Sequence, residues 1–194
     1  MADRRRTGRK GMEAMTHLRV YDEAGGAPLA DTRDPGAIAA ALAPVGVRFE
    51  QWPSRPLAAD AGQDEVLEAF APEVERLKAE KGYRSVDVIR MVPDHPEKGA
   101  LRTKFLSEHR HSEDEVRFFV EGEGLFTLRA GERIYAVLCE EGDLISVPAG
   151  TRHWFDMGPN PRFTAIRLFT NADGWIANFT GDTIADRFPR HEPA

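Results

Sequence analysis

The sequence predicts a mainly β protein, an antiparallel sandwich or barrel with a few flanking helices in its N-terminal half. From Ser85 onward, short runs of valine, isoleucine, phenylalanine and threonine are separated by glycine turns about every 8 to 12 residues, as is typical of that class. Before Ser85, apolar residues recur at helical spacing instead. With 194 residues, 41% of them hydrophobic, we expect one domain at 15–190, a disordered leader at 1–14 and a tail at 191–194.

The N-terminal half is predicted to begin with a short strand and a helix. The stretch LRVYDE, which starts at Leu18, has the composition of a strand. Asp34 and Pro35 provide an N-cap and a first-turn proline for a helix that runs to about Ala43. Pro44 then ends this helix, because proline cannot continue the hydrogen-bond ladder.

A longer helix is predicted between Asp64, as its N-cap, and Gly82, as its stop. Its apolar residues recur at helical spacing: Val66, Leu67, Phe70, Val74 and Leu77. We expect this apolar face to pack on a sheet.

Seven segments of the C-terminal part predict strands: SVDVIRMV, EVRFFVEG, GLFTLRAG, RIYAVLCEEG, DLISVPAG, HWFDMG and RFTAIRLFT. Two of them carry charges in an unusual place. In an extended strand, Glu115 and Arg117 lie on the same face as Phe119, and Arg167 lies on the same face as Phe163. Either these faces are external and solvated, or the charges point inward and each requires a partner. The pattern leaves both alternatives open.

Composition excludes several classes of partner. The net charge of −6 and the pI near 5.6 do not fit a nucleic-acid-binding protein. No apolar run approaches the length of a membrane span, and the basic leader precedes no apolar stretch that would make it a secretory signal. Cys139 is the single cysteine, so no internal disulfide is possible, and a reducing compartment, the cytoplasm, is expected. We therefore expect a small-molecule partner, and we also expect a monomer.

The stretch EHRHSEDEVRFFVEG predicts a metal site. His109 and His111 are two positions apart, and side chains at i and i+2 share a face of an extended chain. Two imidazoles directed at one point indicate a metal such as zinc, iron or nickel.

The flanking residues resemble the two motifs of the cupin superfamily. Around the pair the sequence reads H-x-H-x3-E-x6-G, ending at Gly122, and later it reads G-x5-P-x-G-x2-H, from Gly142 to His153. The resemblance implies a cupin jelly-roll barrel. It departs at Thr103, where the first motif normally has a glycine. The three histidines outside these motifs, His17, His95 and His191, have no such neighbours, and we do not expect them to bind metal.

A wider set of segments resembles the acireductone dioxygenase family of methionine salvage. These segments are KFLSEHRHSEDEVRFFVEGEGLF, PAGTRHWFDMG and FTAIRLFTNADGWIANF. The resemblance runs from about Met15 to Pro189, and the leader is its chief departure. It implies that the substrate is the acireductone dihydroxy-keto-methylthiopentene and that one Fe²⁺ or Ni²⁺ is bound per chain. The iron form would give methylthio-oxobutanoate and formate, and the nickel form methylthiopropanoate, formate and carbon monoxide.

The resemblance also implies roles for individual residues. The implied metal ligands are His109, His111, Glu115 and His153. Arg117 would stabilise the substrate dianion, while Glu108 and Asp114 would act in metal incorporation and in transmitting conformational change. Aromatic residues are implied around the substrate pocket, although each fits an ordinary core equally well: Phe105, Phe155 and Trp175.

These residue types suit the implied chemistry. Three neutral histidines and one carboxylate leave a divalent ion with a net charge of about +1 and two open octahedral positions, which a chelating enediol can fill. The dianion that results still carries excess charge, and Arg117 can offset it because a guanidinium does not lose its proton. Arg167 would either supply a second positive charge to the pocket or pair with a carboxylate.

Two other functions share part of the pattern. Another metal-dependent cupin enzyme, an isomerase or a decarboxylase, would have the motifs without the specific flanking residues. A cupin that only binds a ligand would not need all the metal ligands together with Arg117.

Overall fold

The computed structural model describes residues 16–171 and 176–192, and the prediction of a mainly β barrel with flanking helices is confirmed. The described strands are β1 (His17–Asp22), β2 (Ala30–Thr32), β3 (Arg48–Gln51), β4 (Ser85–Met91), β5 (His109–Arg110), β6 (Glu115–Ala130), β7 (Arg133–Glu140), β8 (Asp143–Val147), β9 (Arg152–Asp156), β10 (Phe163–Phe169) and β11 (Asn178–Phe179). The helices are α1 (Pro35–Leu42), α2 (Gln63–Ala69), α3 (Ala71–Lys81) and α4 (Lys98–Leu106).

Two antiparallel sheets share the long strand β6. Sheet A has the order β11-β5-β9-β6-β7-β1-β2 and uses the C-terminal half of β6. Sheet B has the order β4-β10-β6-β8-β3 and uses the N-terminal half. The sequence predicted two separate strands here, EVRFFVEG and GLFTLRAG, and that prediction was wrong, because the chain passes through Gly122 without a turn.

Gly122 is the point at which β6 changes sheets. Its φ of 75° lies in the left-handed region, and a Cβ there would lie 1.8 Å from the carbonyl oxygen of Arg162. The bend also reverses which residues face the interior. Odd-numbered residues such as Phe119 point inward before it, and even-numbered residues such as Phe126 point inward after it.

The first predicted helix is confirmed, and the second was wrong in two respects. Asp34 caps α1 by accepting a hydrogen bond of 2.7 Å from the N–H of Ala37. The second helix begins two residues earlier than predicted, with Gly62 instead of Asp64 as its N-cap, and it is interrupted at Phe70, so that α2 and α3 are separate. Pro72 explains the interruption, because it lacks the N–H that would bond four residues back.

The sequence analysis did not predict α4, β2, β3, β5 or β11. These elements are short or, in α4, polar over much of their surface, so the periodic apolar pattern is weak. Helix α4 is joined to β9 by an ion pair in which Arg102 contacts Asp156 at 2.7 Å. It leads directly into β5, and it therefore fixes the approach to the first histidine.

The main core lies between the two sheets, and a second apolar cluster lies between sheet B and helices α2 and α3. The predicted apolar face of the second helix is part of that cluster. Within the described residues, no helix has the length and apolar character needed to cross a membrane. At the C-terminal end, the N–H of His191 donates to Asp156 at 2.9 Å, so the chain remains packed on the barrel beyond residue 190.

The carboxylate of Asp143 on β8 is buried and connects β8 to β3, to β7 and to Thr16, which precedes β1. Asp143 accepts hydrogen bonds from the hydroxyl of Thr16 at 2.6 Å, from the N–H of Glu140 at 3.0 Å and from the amide of Gln51 at 3.0 Å. Burial raises the pKa of Asp143 to about 6, although these donors oppose the shift.

Candidate metal centre

Four side chains converge at one end of the barrel. His109 on β5 lies opposite His153 on β9 in the strand register, His111 follows β5, and Glu115 begins β6. One possible ligand atom from each residue lies within 4.8 Å of every other, and all four residues are buried. No second such group occurs among the described residues. The structure thus brings together the four ligands implied by the cupin motifs.

Backbone carbonyls orient the three imidazoles. Because a carbonyl oxygen only accepts hydrogen bonds, each Nδ1 carries a proton, so Nε2 is the atom with which each neutral imidazole can bind a metal. The pairs are His109 Nδ1 with Ser107 O at 2.7 Å, His111 Nδ1 with Ile176 O at 2.9 Å, and His153 Nδ1 with Thr151 O at 2.9 Å. Three imidazole nitrogens and one carboxylate oxygen form a donor set that fits a divalent transition metal.

Glu115 lies at the middle of this group. Its Oε2 atom is 2.9 Å from His153 Nε2 and 3.1 Å from His111 Nε2. Burial alone would raise the pKa of Glu115, but the two imidazoles outweigh it and hold the pKa well below the usual range. Burial, with help from the neighbouring His153, lowers the pKa of His109 to about 4. These two directions favour a carboxylate at Glu115 and a neutral imidazole at His109, the forms that bind metal, whereas at His111 the Glu115 carboxylate outweighs burial and raises the pKa.

A glycine turn returns the chain to His153. The N–H of Gly150, whose φ is 79°, donates to the carbonyl oxygen of His111 at 2.9 Å. Asp114 accepts a hydrogen bond of 3.0 Å from the N–H of Ala149, and it lies 3.3 Å from the hydroxyl of Tyr83. Asp114 therefore connects the loop of the first motif to the turn of the second, and it does not reach the ligand group itself.

Glu108 is buried and lies immediately before β5. Its carboxylate accepts hydrogen bonds from Arg129 at 3.2 Å and from the Thr180 hydroxyl at 2.7 Å. Arg129 also donates to Asp182 at 2.8 Å and pairs closely with Glu23. This network joins the residue before His109 to β6 and to the C-terminal segment. The sequence analysis did not identify Arg129. It lies near the C-terminal end of β6 among the odd-numbered residues, which point away from the interior there, so its position gave no sign of this role.

Arg117 points into the barrel, so the inward alternative for the charged face of β6 is the one observed. It is 6% exposed, and its Nη2 atom donates to Glu115 Oε1 at 3.0 Å. The guanidinium carbon lies 4.5 Å from the ring centre of Phe155 and 5.2 Å from that of Phe126. Burial lowers the pKa of Arg117, while the Glu115 carboxylate opposes that shift.

The sequence left two roles open for Arg167, and the structure shows the second of them, a pair with a carboxylate. Its guanidinium donates to Asp87 through Nε at 2.8 Å and through Nη2 at 2.6 Å, and the pair is partly exposed. It lies directly opposite Arg117 in the register of β10 and β6. The pairing with a carboxylate on β4 accounts for this charge without a role in the pocket.

The predicted aromatic residues fall into two groups. Phe155 is buried, and the partly buried Phe105 of α4 packs against the same core cluster. Trp175 lies outside the described residues. The sequence analysis missed Phe126. The inward-facing residues of β6 change from odd-numbered to even-numbered at Gly122, and a prediction of this change would have indicated Phe126.

Comparisons with known proteins agree with this geometry. The model of the ARD/ARD' family matches residues 18–177. An acireductone dioxygenase of Alcanivorax borkumensis is 59% identical over 177 residues, which are 90% of this chain and 98% of the relative. One of Pseudomonas aeruginosa is 65% identical over 153 residues, which are 78% and 84% of the two chains.

A solved structure, acireductone dioxygenase from Bacillus anthracis with cadmium ion in active center, superposes with a TM-score of 0.74. It is 31% identical, and the match covers 86% of this chain and 99% of that one. The barrel is thus a cupin fold. The relatives named here do not support the alternative hypotheses of an isomerase, a decarboxylase or a non-enzymatic cupin. By its sequence, its fold and its group of three histidines and one glutamate, the chain belongs to the ARD/ARD' family of acireductone dioxygenases.

Proposed function

We propose that the chain oxidises dihydroxy-keto-methylthiopentene with dioxygen as a step of L-methionine salvage. The observation that carries the proposal is the buried Arg117 beside the four-residue ligand group, 3.0 Å from Glu115. A structural metal site needs no such cation, because the ligands alone satisfy the ion. A site for a substrate dianion does need one, because the ligand set leaves about one positive charge to face two negative ones.

We propose Fe²⁺ or Ni²⁺, one per chain, held by His109, His111, Glu115 and His153. When bound, the metal supplies Lewis-acid polarisation that lowers the pKa of the enediol protons. The chain contributes a rigid donor set, since every imidazole is held by a backbone carbonyl rather than by a mobile side chain. All four donors come from one chain, so the site needs no second subunit, and we propose that the chain is a monomer.

Arg117 binds and orients the enediolate in this proposal. Its guanidinium is held from two sides, by the Glu115 carboxylate and by the face of the Phe155 ring. The apolar surroundings strengthen its attraction for an anion, because few competing water molecules screen the charge. The guanidinium remains protonated, so it balances charge without taking part in proton transfer.

The apolar part of the substrate would lie against aromatic side chains. Phe155 and Phe105 border the core next to Arg117, and Trp175 is proposed as a further pocket residue on family resemblance alone. A pocket of this kind excludes water from the enediolate, which protects it from side reactions. Arg167 is not included, since Asp87 neutralises it.

Glu108 and Asp114 are proposed to support the centre from outside. Glu108 precedes His109 and is tied to Arg129 and Thr180, so it fixes the strand that carries the first ligand. Asp114 precedes Glu115 and fixes the turn before His153. Both therefore act on the ligand geometry, which is the basis on which we assign them to metal incorporation.

We further propose that the metal determines the products. All four donors are of a type that iron and nickel both accept, and no thiolate favours either. The iron form should give the keto acid and formate, and the nickel form should give methylthiopropanoate, formate and carbon monoxide. We also place the chain in the cytoplasm, where its buried Cys139 would stay reduced.

The test is a comparison of the chain loaded separately with Fe²⁺ and with Ni²⁺, in one buffer and with confirmed metal occupancy. Aerobic turnover of the acireductone is followed by gas analysis of the headspace and by assay of formate. Carbon monoxide from the nickel form alone is the expected result. Equal carbon monoxide from both forms would show that the pocket determines the products, and no turnover by either would refute the substrate.

A further inference from the structure

Gly124 lies where the ring of Phe155 needs space. It is buried in β6, and a Cβ built on it would lie 2.4 Å from Cζ and 2.5 Å from Cε2 of Phe155. Carbon atoms in favourable contact are about 3.5 to 4.0 Å apart, so the ring occupies the volume that a side chain at this position would fill. An aromatic ring that covers a glycine on the neighbouring strand is a known means of supporting a sheet.

The backbone does not require a glycine at this position. The residues with a positive φ include Gly122 and Gly131 but not Gly124. An alanine is therefore compatible with the chain conformation, and the restriction arises from the Phe155 ring alone.

The same ring supports the guanidinium of Arg117. The guanidinium carbon lies 4.5 Å from the ring centre of Phe155. The ring has little freedom to move, because Phe126 lies 4.7 Å and Phe163 lies 5.9 Å from it between ring centres. A displacement of Phe155 away from β6 must therefore move the guanidinium or break its contact with the ring.

We propose that Gly124 is a positioning residue for substrate binding, whose missing side chain lets Phe155 lie across β6 and hold Arg117 beside the metal centre. The inference rests on the proposed function of Arg117. It adds a position that touches neither metal nor substrate and still determines how well the dianion is bound.

The first experiment is Gly124→Ala. To reach an ordinary contact distance, the ring must move by about 1.1 to 1.6 Å, and a misplacement of about 1 Å can already lower kcat/KM by about 10- to 100-fold. The loss should lie mainly in KM, because Arg117 acts on the bound dianion before oxygen reacts. Metal content should remain at the wild-type value, since no ligand contacts Gly124. The control is Gly99→Ala, because a Cβ at this helical position meets nothing within 4 Å.

The second experiment removes the ring atoms that cause the conflict. Leucine has no counterpart of Cζ or Cε2, so Phe155→Leu should lower kcat/KM by itself, and adding Gly124→Ala to it should change kcat/KM by less than about twofold. This pair also serves if Gly124→Ala does not fold, because the double variant should fold like Phe155→Leu.

The outcomes separate the inference from the function on which it rests. If the wild type turns over the acireductone and Gly124→Ala keeps its KM and kcat, the inference is refuted while the function stands. A lower melting temperature with unchanged kinetic constants would give Gly124 a purely structural role and would also refute it. Further loss in the double variant would mean that the effect of Gly124 does not pass through Phe155. If the wild type does not turn over the acireductone, the proposed function has failed first.

Discussion

Arg117→Met tests the residue on which the proposed function depends. The substitution removes a buried charge and keeps an unbranched side chain of similar length between the rings of Phe126 and Phe155. It breaks the hydrogen bond of 3.0 Å from the guanidinium to Glu115. Glu115 keeps its contacts of 2.9 and 3.1 Å with His153 and His111, so the ligand group remains assembled.

The expected loss follows from the charge that is removed. A hydrogen bond to a charged group contributes about 1.5 to 3 kcal/mol, and Arg117 would make at least one with the substrate dianion. Since about 1.4 kcal/mol corresponds to a factor of ten, kcat/KM should fall by roughly 10- to 100-fold. Metal stoichiometry should be nearly unchanged, because the variant retains all four ligands.

The assay measures oxygen uptake with the acireductone together with metal content by elemental analysis. Arg133→Met is the matched control, since Arg133 is exposed, pairs with Asp22 on the surface and lies in β7 away from the centre. Its kcat/KM should stay within about twofold of the wild type. Wild-type kcat/KM in Arg117→Met would refute the assignment, and a loss of metal would mean that Arg117 acts on the site through Glu115 instead.

Two further predictions concern the centre and the fold. His111→Ala and His153→Ala should each lose most bound metal and all turnover while circular dichroism still reports a folded barrel; one ion per chain in both variants would contradict the ligand assignment. Asp143→Asn should remove one contribution to the dependence of stability on pH. Because the folded-state pKa of Asp143, about 6, lies above the unfolded value of about 3.9, the contribution of this residue to stability falls by roughly 3 kcal/mol as the pH rises from about 4 to about 6. Urea denaturation of the wild type and the variant at pH 4 and pH 7 measures the difference between them, and the same pH dependence in both would refute it.

The sequence predicted best those features that depend on residue types found in only a few structural environments. The H-x-H pair with Glu115 and His153 indicated the centre because imidazole and carboxylate at such spacing have few other uses. The Asp34 cap and strands β4, β8 and β10 of sheet B followed from local rules in the same way. The break at Phe70 could have been read from Pro72, but the continuous apolar face suggested one helix.

Other features depend on contacts between distant parts of the chain. The carbonyl oxygen of Ile176 orients His111 from 65 residues away, and a backbone carbonyl has no sequence signature. Arg167 and Asp87 are 80 residues apart in the sequence, so the alternation of residues along one strand could not indicate that they form a pair. The two-residue strand β5 exists because it is held between β9 and β11, and its own residues carry no strand signal.

The position of the ligands in the two sheets explains why the centre lies at this end of the barrel. His109 and His153 belong to sheet A, whereas Glu115 begins the part of β6 that belongs to sheet B. Because β6 crosses from one sheet to the other at Gly122, the carboxylate and Arg117 enter the interior on sheet B while Phe126 returns to meet them from sheet A. The ligand group therefore forms only when the two sheets are closed on each other. A metal bound there adds its binding free energy to that closure, since the open chain offers no comparable site.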